Sequence, residues 1–349
     1  MFGTRGKEGG TVTASTPLAE TPVAPEDRSA QDGPRPQPAW EKVLRRTGRA
    51  VIVAFWVMVV AFMLIRLSPG DPVTAALGGD AAPETVAALR AQLGLDVDPF
   101  TQFWNYFTGL FRGDLGASMI SGIPVTEMLK TNLPVTLWLI LTTVTMTIVI
   151  SIPLAMFIAL VRIPALPYIF RTVTAIGLAL PSFLVALLLL YQFGLVWAIA
   201  PIFGYDPTFP ANLQYLWLPA LVNCVVLVPV LSRVLYSSIL DTLDEEFVET
   251  GVIRGVRSLR FYWFYVLRPS LAPTVVLLSY MMGVMVGSTV ILEIIFALPG
   301  IGRELVTAVT MRDYPVVQGI ILVFGILVVF LSLLGDIIAS LLDPRVKLT

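Results

Sequence analysis

Six apolar runs, each long enough to cross a bilayer, constrain this chain more than any other feature. A span needs about 20 apolar residues, because each adds roughly 1.5 Å across a hydrocarbon thickness of about 30 Å. The runs are approximately Ala50 to Leu67, Leu133 to Val161, Val173 to Ala200, Leu216 to Leu235, Ala272 to Ala297 and Val317 to Leu341. A helix satisfies its backbone within one segment, and no series of short alternating runs suggests a membrane barrel. The expected fold is therefore all-α, a polytopic membrane protein with six transmembrane helices. Composition agrees, since 56% of the 349 residues are hydrophobic and only 13% charged, far oilier than a soluble domain. Pro153, Pro181 and Pro229 fall inside spans and read as tolerated kinks.

Lys and Arg beside the spans set the expected orientation, because short cytoplasmic segments carry their excess. Lys42, Arg45, Arg46 and Arg49 precede the first span; Arg162 and Arg171 separate the second and third; Arg254, Arg257, Arg260 and Arg268 separate the fourth and fifth; Arg345 and Lys347 end the chain. Both termini are expected in the cytoplasm, with an external segment over residues 68–132. Residues 1–38 are rich in Thr, Pro, Ala, Gly and charge, and read as a disordered cytoplasmic tail before a membrane domain over 39–349. The first apolar run starts too far from Met1 for a secretory signal and is followed by no small-residue cleavage pattern, so it should stay as an anchor.

Enzyme chemistry finds little material. The chain has no histidine, and its one cysteine, Cys224, sits in an apolar run as a small packing residue. A net charge of −1 gives no global reason to bind nucleic acid. No Gly-x-x-x-x-Gly-Lys-Ser/Thr loop occurs, and "GTRGKEGG" near the N-terminus has the wrong spacing, so no nucleotide site is expected by that route.

The long charged stretch of the second half, "LDEEFVETGVIRGVRSLRFYWFY" (Leu243 to Tyr265), reads as a helix across the cytoplasmic face, within a segment over residues 239–268. Thr242 and Glu245 fit a capping box, and Asp244, Glu245 and Glu246 place negative charge at the positive end of the helix dipole. Phe247, Gly251 and Gly255 recur every four residues, a ridge that something can approach closely. Two glycines inside a helix each cost about 1 kcal/mol relative to alanine, so close packing or a bend must offset them. The aromatics from Phe261 to Tyr265 favour the headgroup region. A plain amphipathic interfacial loop is an equal reading from composition alone.

The run Glu249, Thr250, Gly251, three residues, then Gly255 resembles the Glu-Ala-Ala-x-x-x-Gly signature of permease subunits of ABC importers. "FVETGVIRGV" and "YVLRPSLAP" look like the peptide and nickel importer version. The resemblance covers nearly all of Trp40 to Lys347. "RLSPGDPV", "LGLDVDPFTQFWNY" and "GDLGASM" are similar to the external segment of the dipeptide and oligopeptide B-type subunit; "EIIFALPGIGRELVTAVTMRDYPVVQG" resembles its second external signature, and "GDIIASLLDPRVK" its C-terminal ending.

The resemblance implies a type I ABC importer permease of the bacterial inner membrane, itself without enzymatic activity. It implies a second homologous permease, two ATP-binding subunits that hold ATP and magnesium, and an external substrate-binding protein delivering a peptide. It also implies a coupling helix that docks in the ATPase, with Glu249, Thr250, Gly251, Arg254 and Gly255 as contacts and Phe247 and Val248 as apolar ones. The external motifs supply docking or gate candidates: Pro69, Gly70, Asp71, Gly113, Asp114, Gly116, Glu293, Pro299, Gly300, Gly302, Asp313, Tyr314 and Pro315. Dipeptide, longer peptide, nickel chelate and haem stay open as cargo, with peptide favoured by the absence of histidine. Departures from the family pattern are Gly251 for alanine, Val252 for an often basic residue, Arg254 for lysine, Pro269 for asparagine, Tyr265 for histidine, and a carboxylate at Glu249 where arginine is usual.

An ATP-independent secondary transporter is the rival reading, but neither inverted repeats nor paired intramembrane charges are seen. Within the spans, Gly283 and Gly287 give a small-x-x-x-small spacing that suits either internal packing or a subunit contact. Asp336 is expected near the cytoplasmic end of its span or facing protein and water. Glu293 reads equally as a gate and as a plain interfacial carboxylate.

Overall fold

The computed structural model describes residues 48, 51–63, 73–74, 82–92, 96–161, 163–256 and 258–342. The tail expected over 1–38 and the motif residues Pro69, Gly70 and Asp71 lie outside the described residues.

The helices are α1 (Val51–Met63), α2 (Pro83–Gln92), α3 (Pro99–Phe111), α4 (Val125–Leu160), α5 (Leu166–Ala179), α6 (Ser182–Leu189), α7 (Leu213–Leu243), α8 (Glu246–Ile253), α9 (Arg268–Ile295), α10 (Ile301–Thr310) and α11 (Tyr314–Leu342). No strand forms among the described residues; Ala117 and Pro124 make a single antiparallel bridge. The architecture is that of an all-α polytopic membrane protein.

Four described helices are long and apolar enough to cross a membrane singly: α4, α7, α11, and α9 with the π-helical turn Tyr262–Leu267 that precedes it. The third expected span is two helices, α5 and α6 with its π-helical continuation Leu190–Val196, bent by 96° to one another. Pro181 is therefore more than a tolerated kink. It has no N–H to donate and pushes the preceding residue out of the helical region. Leu180 accordingly takes an extended conformation with ψ at 128°. Pro153 and Pro229, in contrast, sit inside continuous helices. Of the first expected span, the described part is the 13 residues of α1.

α7 is the most buried of the spans and packs chiefly against α4. Near its N-terminus, Leu216, Leu218, Ala220 and Val222 meet Val135 and Leu139 of α4 and Leu292 of α9. Near its C-terminus, Leu235 and Ile239 meet Ala155 of α4 and the Val266–Leu267 turn. Glycines on α11 set the closest helix approaches. A Cβ at Gly325 would lie 2.5 Å from Val57 of α1, one at Gly319 2.6 Å from Val125 of α4, and one at Gly335 inside the side chain of Ser279 on α9. Small residues let membrane helices approach where lipid tails offer no hydrophobic drive.

The bundle thus has two distinct ends. One carries the exposed Arg254, Arg260 and Arg268 together with α8. The other carries the turns around 113–124, 201–212 and 296–313.

Candidate functional site

At the arginine-rich end, α7 stops at Leu243 with Asp244 as its cap, and α8 starts at Glu246. Thr242 does not open a capping box as the sequence suggested. It belongs to the last turn of α7, where its hydroxyl donates to the Ser238 carbonyl at 2.8 Å and meets the Ser270 hydroxyl at 2.9 Å. Glu245 donates its N–H to the Thr242 carbonyl.

α8 is mounted by one face. Val248, 1% exposed, packs with Leu235, Ile239 and Phe261, so it anchors the helix inside the chain and is no external contact. Gly251 lies under the Phe261 ring, which a Cβ would approach to 2.6 Å. The close packing that the glycine ridge called for is therefore internal at this position. Gly255 is not in the helix interior at all. It follows the last turn at φ +80° with nothing within 4 Å of a Cβ, and Val256 donates its N–H to the Gly251 carbonyl at 3.1 Å. That bond and that φ are a Schellman ending, which favours glycine because a left-handed residue carries no steric penalty without a Cβ. The outward face holds Phe247, Thr250, Ile253 and Arg254, with Ile253 78% exposed. Glu249 is a helical residue of α8. Phe261 separates from the interfacial aromatic cluster by turning inward, while Trp263, Phe264 and Tyr265 remain about half exposed.

At the opposite end the two motifs expected to be external pack on one another. Glu293, read equally as a gate and as an interfacial carboxylate, is fully buried at the end of α9. Its carboxylate accepts from the Thr136 hydroxyl of α4 at 2.6 Å and from the Arg303 N–H at 2.9 Å, while Thr136 Oγ1 accepts from the Ile301 N–H at 3.1 Å. Ile301 and Arg303 are in the first turn of α10, whose own N-cap Gly300 offers no side chain. Glu293 and Thr136 thus satisfy helix N–H groups that would otherwise be orphaned, at the end where the dipole favours a negative charge. Gly300 and Gly302 are required by the same contact, because a Cβ at either would run into the Glu293 carboxylate. Pro299 beside them is exposed.

Both α9 and α10 end on non-glycine residues in the left-handed region, Ala297 at φ 52° and Arg312 at φ 58°. Each ending is closed by an N–H to a carbonyl five residues back, Leu298 to Glu293 at 2.9 Å and Asp313 to Ala308 at 2.8 Å. Asp313 is buried and accepts from the Ser118 hydroxyl and, at 3.1 Å, from the Met119 N–H. Gly113 at φ +74° and Gly116 at φ +81° allow the turn that brings Ser118 there, and Gly116 lies against Pro315. Asp114 accepts from the Gly116 N–H at 2.8 Å. Tyr314 begins α11 directly after Asp313.

The paired glycines of α9 diverge. A Cβ at Gly283 would sit 3.2 Å from Val328 of α11, an internal contact, whereas Gly287 faces open space. Asp336, partly buried on α11, neighbours the Gly335–Ser279 approach. Among the described residues no group of three His, Cys, Asp or Glu is placed to hold a metal ion.

The sequence model of the family described as "Binding-protein-dependent transport system inner membrane component" matches residues 151–348. Its N-terminal counterpart, "Binding-prot-dependent transport system membrane comp, N-term", matches residues 40–140. The chain belongs to this permease family. A putative peptide transport system permease protein of Brucella abortus (strain 2308) is 33% identical over 308 residues, covering 87% of this chain and 98% of its own. The glutathione transport system permease protein GsiC of Salmonella choleraesuis (strain SC-B67) is 30% identical over 305 residues with the same coverage.

The permease is a multi-pass inner-membrane component of a binding-protein-dependent transport system, and the relatives it matches are transport permease subunits. The match over 151–348 includes α8, Glu293 and Asp313; the N-terminal match includes Ser118 and Thr136. Four residues take positions that sequence reasoning did not assign to them: Ser118, Thr136, Phe261 and Ile253. Thr136 had a faint signal, a hydroxyl in the apolar run "NLPVTLWLI". Phe261 was legible only as an interfacial aromatic, because the fold alone brings it over Gly251.

Proposed function

We propose that this permease forms half of the translocation path of an ATP-driven peptide importer and receives the motion of its ATPase through α8. The observation that carries the reading is how α8 is held. Val248 and the Gly251–Phe261 contact fix one face to α7 and to the root of α9, while Phe247, Thr250, Ile253 and Arg254 face away from the bundle. Load applied to those outward residues would pass through packed side chains into two spans, because close-packed interiors transmit strain.

Charge placement supports a cytoplasmic position for α8, since its neighbours Arg254, Arg260 and Arg268 are exposed at that end. ATP and magnesium would be held by two partner subunits, and a second homologous permease would complete the path. The interlocked turns around Glu293 and Asp313 would give the external binding protein a firm platform. Peptide is the cargo favoured by the relatives, which are described as a putative peptide permease and a glutathione permease.

The test is co-purification from cells expressing the whole transport system, comparing wild type with Ile253→Asp. Wild type is expected to bring down an ATP-hydrolysing chain and a second permease; the variant is expected to keep the permease and lose the ATPase. Uptake of labelled peptide by wild-type vesicles lacking ATP would overturn the reading in favour of a secondary transporter.

A further inference from the structure

A groove of about 440 Å³ opens at the arginine-rich end, lined by Met156 and Leu160 from the last turns of α4 and by Arg260, Tyr262, Trp263 and Phe264 at the root of α9. Leu160 is the last residue of one spanning helix, and the span that includes α9 begins at Tyr262. The groove therefore lies at the ends of two apolar spans on the arginine-rich side, the end where an acyl chain would meet its headgroup. Its volume falls within the range of ligand pockets, about 300–1,000 Å³.

The walls are apolar apart from one charge. Arg260 is the charged member of the described lining residues, and its guanidinium carbon sits 5.9 Å from the centroid of the Phe264 ring. A guanidinium resting on a ring keeps its N–H edge for a planar, bidentate acceptor such as a phosphate diester. Trp263 and Phe264, 53% and 47% exposed, are amphipathic or apolar bodies of the kind that settle among headgroups. An apolar trough with a single cation at its polar mouth has the chemistry of an anionic phospholipid, chain in the trough and phosphate on the arginine.

We propose that this groove binds one anionic phospholipid. The site is wired to α8. Phe261, between Arg260 and Tyr262 in sequence, stacks on Tyr265 with ring centroids 5.3 Å apart and covers Gly251. A lipid seated against residues 260 to 264 stiffens the turn that holds Phe261 and, through it, the mounting of α8.

The experiment takes the assembled transporter into nanodiscs containing equal phosphatidylglycerol and phosphatidylcholine, then counts retained lipids by native mass spectrometry. Wild type is expected to retain phosphatidylglycerol in preference, and Arg260→Gln to lower that preference about fivefold, the effect of one basic residue near an anionic surface. Arg260→Lys should restore most of it. Leu160→Trp keeps the charge but fills the trough, and is expected to lower retention of both lipids, which decides the question if Arg260→Gln fails to assemble. Equal preference in wild type and Arg260→Gln overturns the proposal. Displacement of phosphatidylglycerol by inorganic phosphate alone also overturns it, because the trough then contributes nothing. Loss of the ATPase from Arg260→Gln with an unchanged lipid ratio assigns the surface to a protein partner and ends the proposal.

Discussion

Glu293 Oε1 and Thr136 Oγ1 lie 2.6 Å apart, joining the end of α9 to the first turns of α4 across 157 residues of sequence. Thr136 also accepts from Ile301, so one hydroxyl serves two helices. Thr136→Val leaves a buried carboxylate oxygen and a helix N–H each short of a partner, and should cost about 1–3 kcal/mol. Glu293→Gln can still accept from Arg303 and should cost less. Thermal unfolding in detergent ranks the two, and amide exchange should show Ile301 losing protection in Thr136→Val first.

Two glycines of α8 are expected to fail for different reasons. Gly251→Ala drives a methyl into the Phe261 ring and should cost about 1–3 kcal/mol by overpacking. Pairing it with Phe261→Leu should recover part of the loss, a non-additivity that a double-mutant cycle measures. Gly255→Ala meets no neighbour but must hold φ +80°, a penalty of about 1–2 kcal/mol that no second-site change in Phe261 relieves.

Gly335→Ala places its methyl inside both Oγ and Cβ of Ser279. Ser279→Ala retains that Cβ and should not rescue; Ser279→Gly should. The single variant is expected to lose about 1–3 kcal/mol, read as a lower midpoint of thermal aggregation, with Gly287→Ala unchanged in the same assay because nothing lies within 4 Å of that position.

Asp98 caps α3, with the Thr101 hydroxyl at 2.7 Å and the Thr101 N–H at 3.0 Å holding its carboxyl below the usual value of 3.8. A carboxyl lowered in the folded state stabilises above its unfolded pKa and loses that contribution as pH falls through the folded one. Protection of the Thr101 amide should stay level down to the ordinary carboxylate range and fall below it. Asp98→Asn, which still offers an oxygen to the N–H, should flatten the profile; a slope that persists in this variant would refute the assignment.

Burial orphans the Tyr106 hydroxyl, which has no partner among the described residues and is pushed up to about 12. Its ring stacks on Phe62 with centroids 6.0 Å apart. Tyr106→Phe keeps the stack and removes the unpaired group, so it should raise stability by roughly 1 kcal/mol, seen as a higher unfolding midpoint.

The helices were legible because hydropathy reports the length of an apolar run directly. What the runs concealed was interruption: Pro181 and Pro153 look alike in a hydropathy profile, yet one breaks a span and the other sits in an unbroken helix. Motif spacing located α8 and the two motifs at the opposite end, while the partner of each motif residue lay far away in sequence. Gly251 and Phe261, Glu293 and Thr136, Asp313 and Ser118 are pairs that only tertiary packing creates. Thr242 misled for a local reason, because its hydroxyl can serve a preceding carbonyl as readily as a following N–H.

The break at Leu180–Pro181 has a consequence for what surrounds the chain. Polar backbone without its helical ladder cannot face acyl tails, so it survives at membrane depth only when wet or covered by protein. Leu178, Leu180 and Phe183 around the break are 40%, 39% and 52% exposed on this chain. Any N–H or carbonyl of the break that lies at membrane depth would need water or another polypeptide beside it, because the apolar side chains there suit lipid while an unladdered backbone does not.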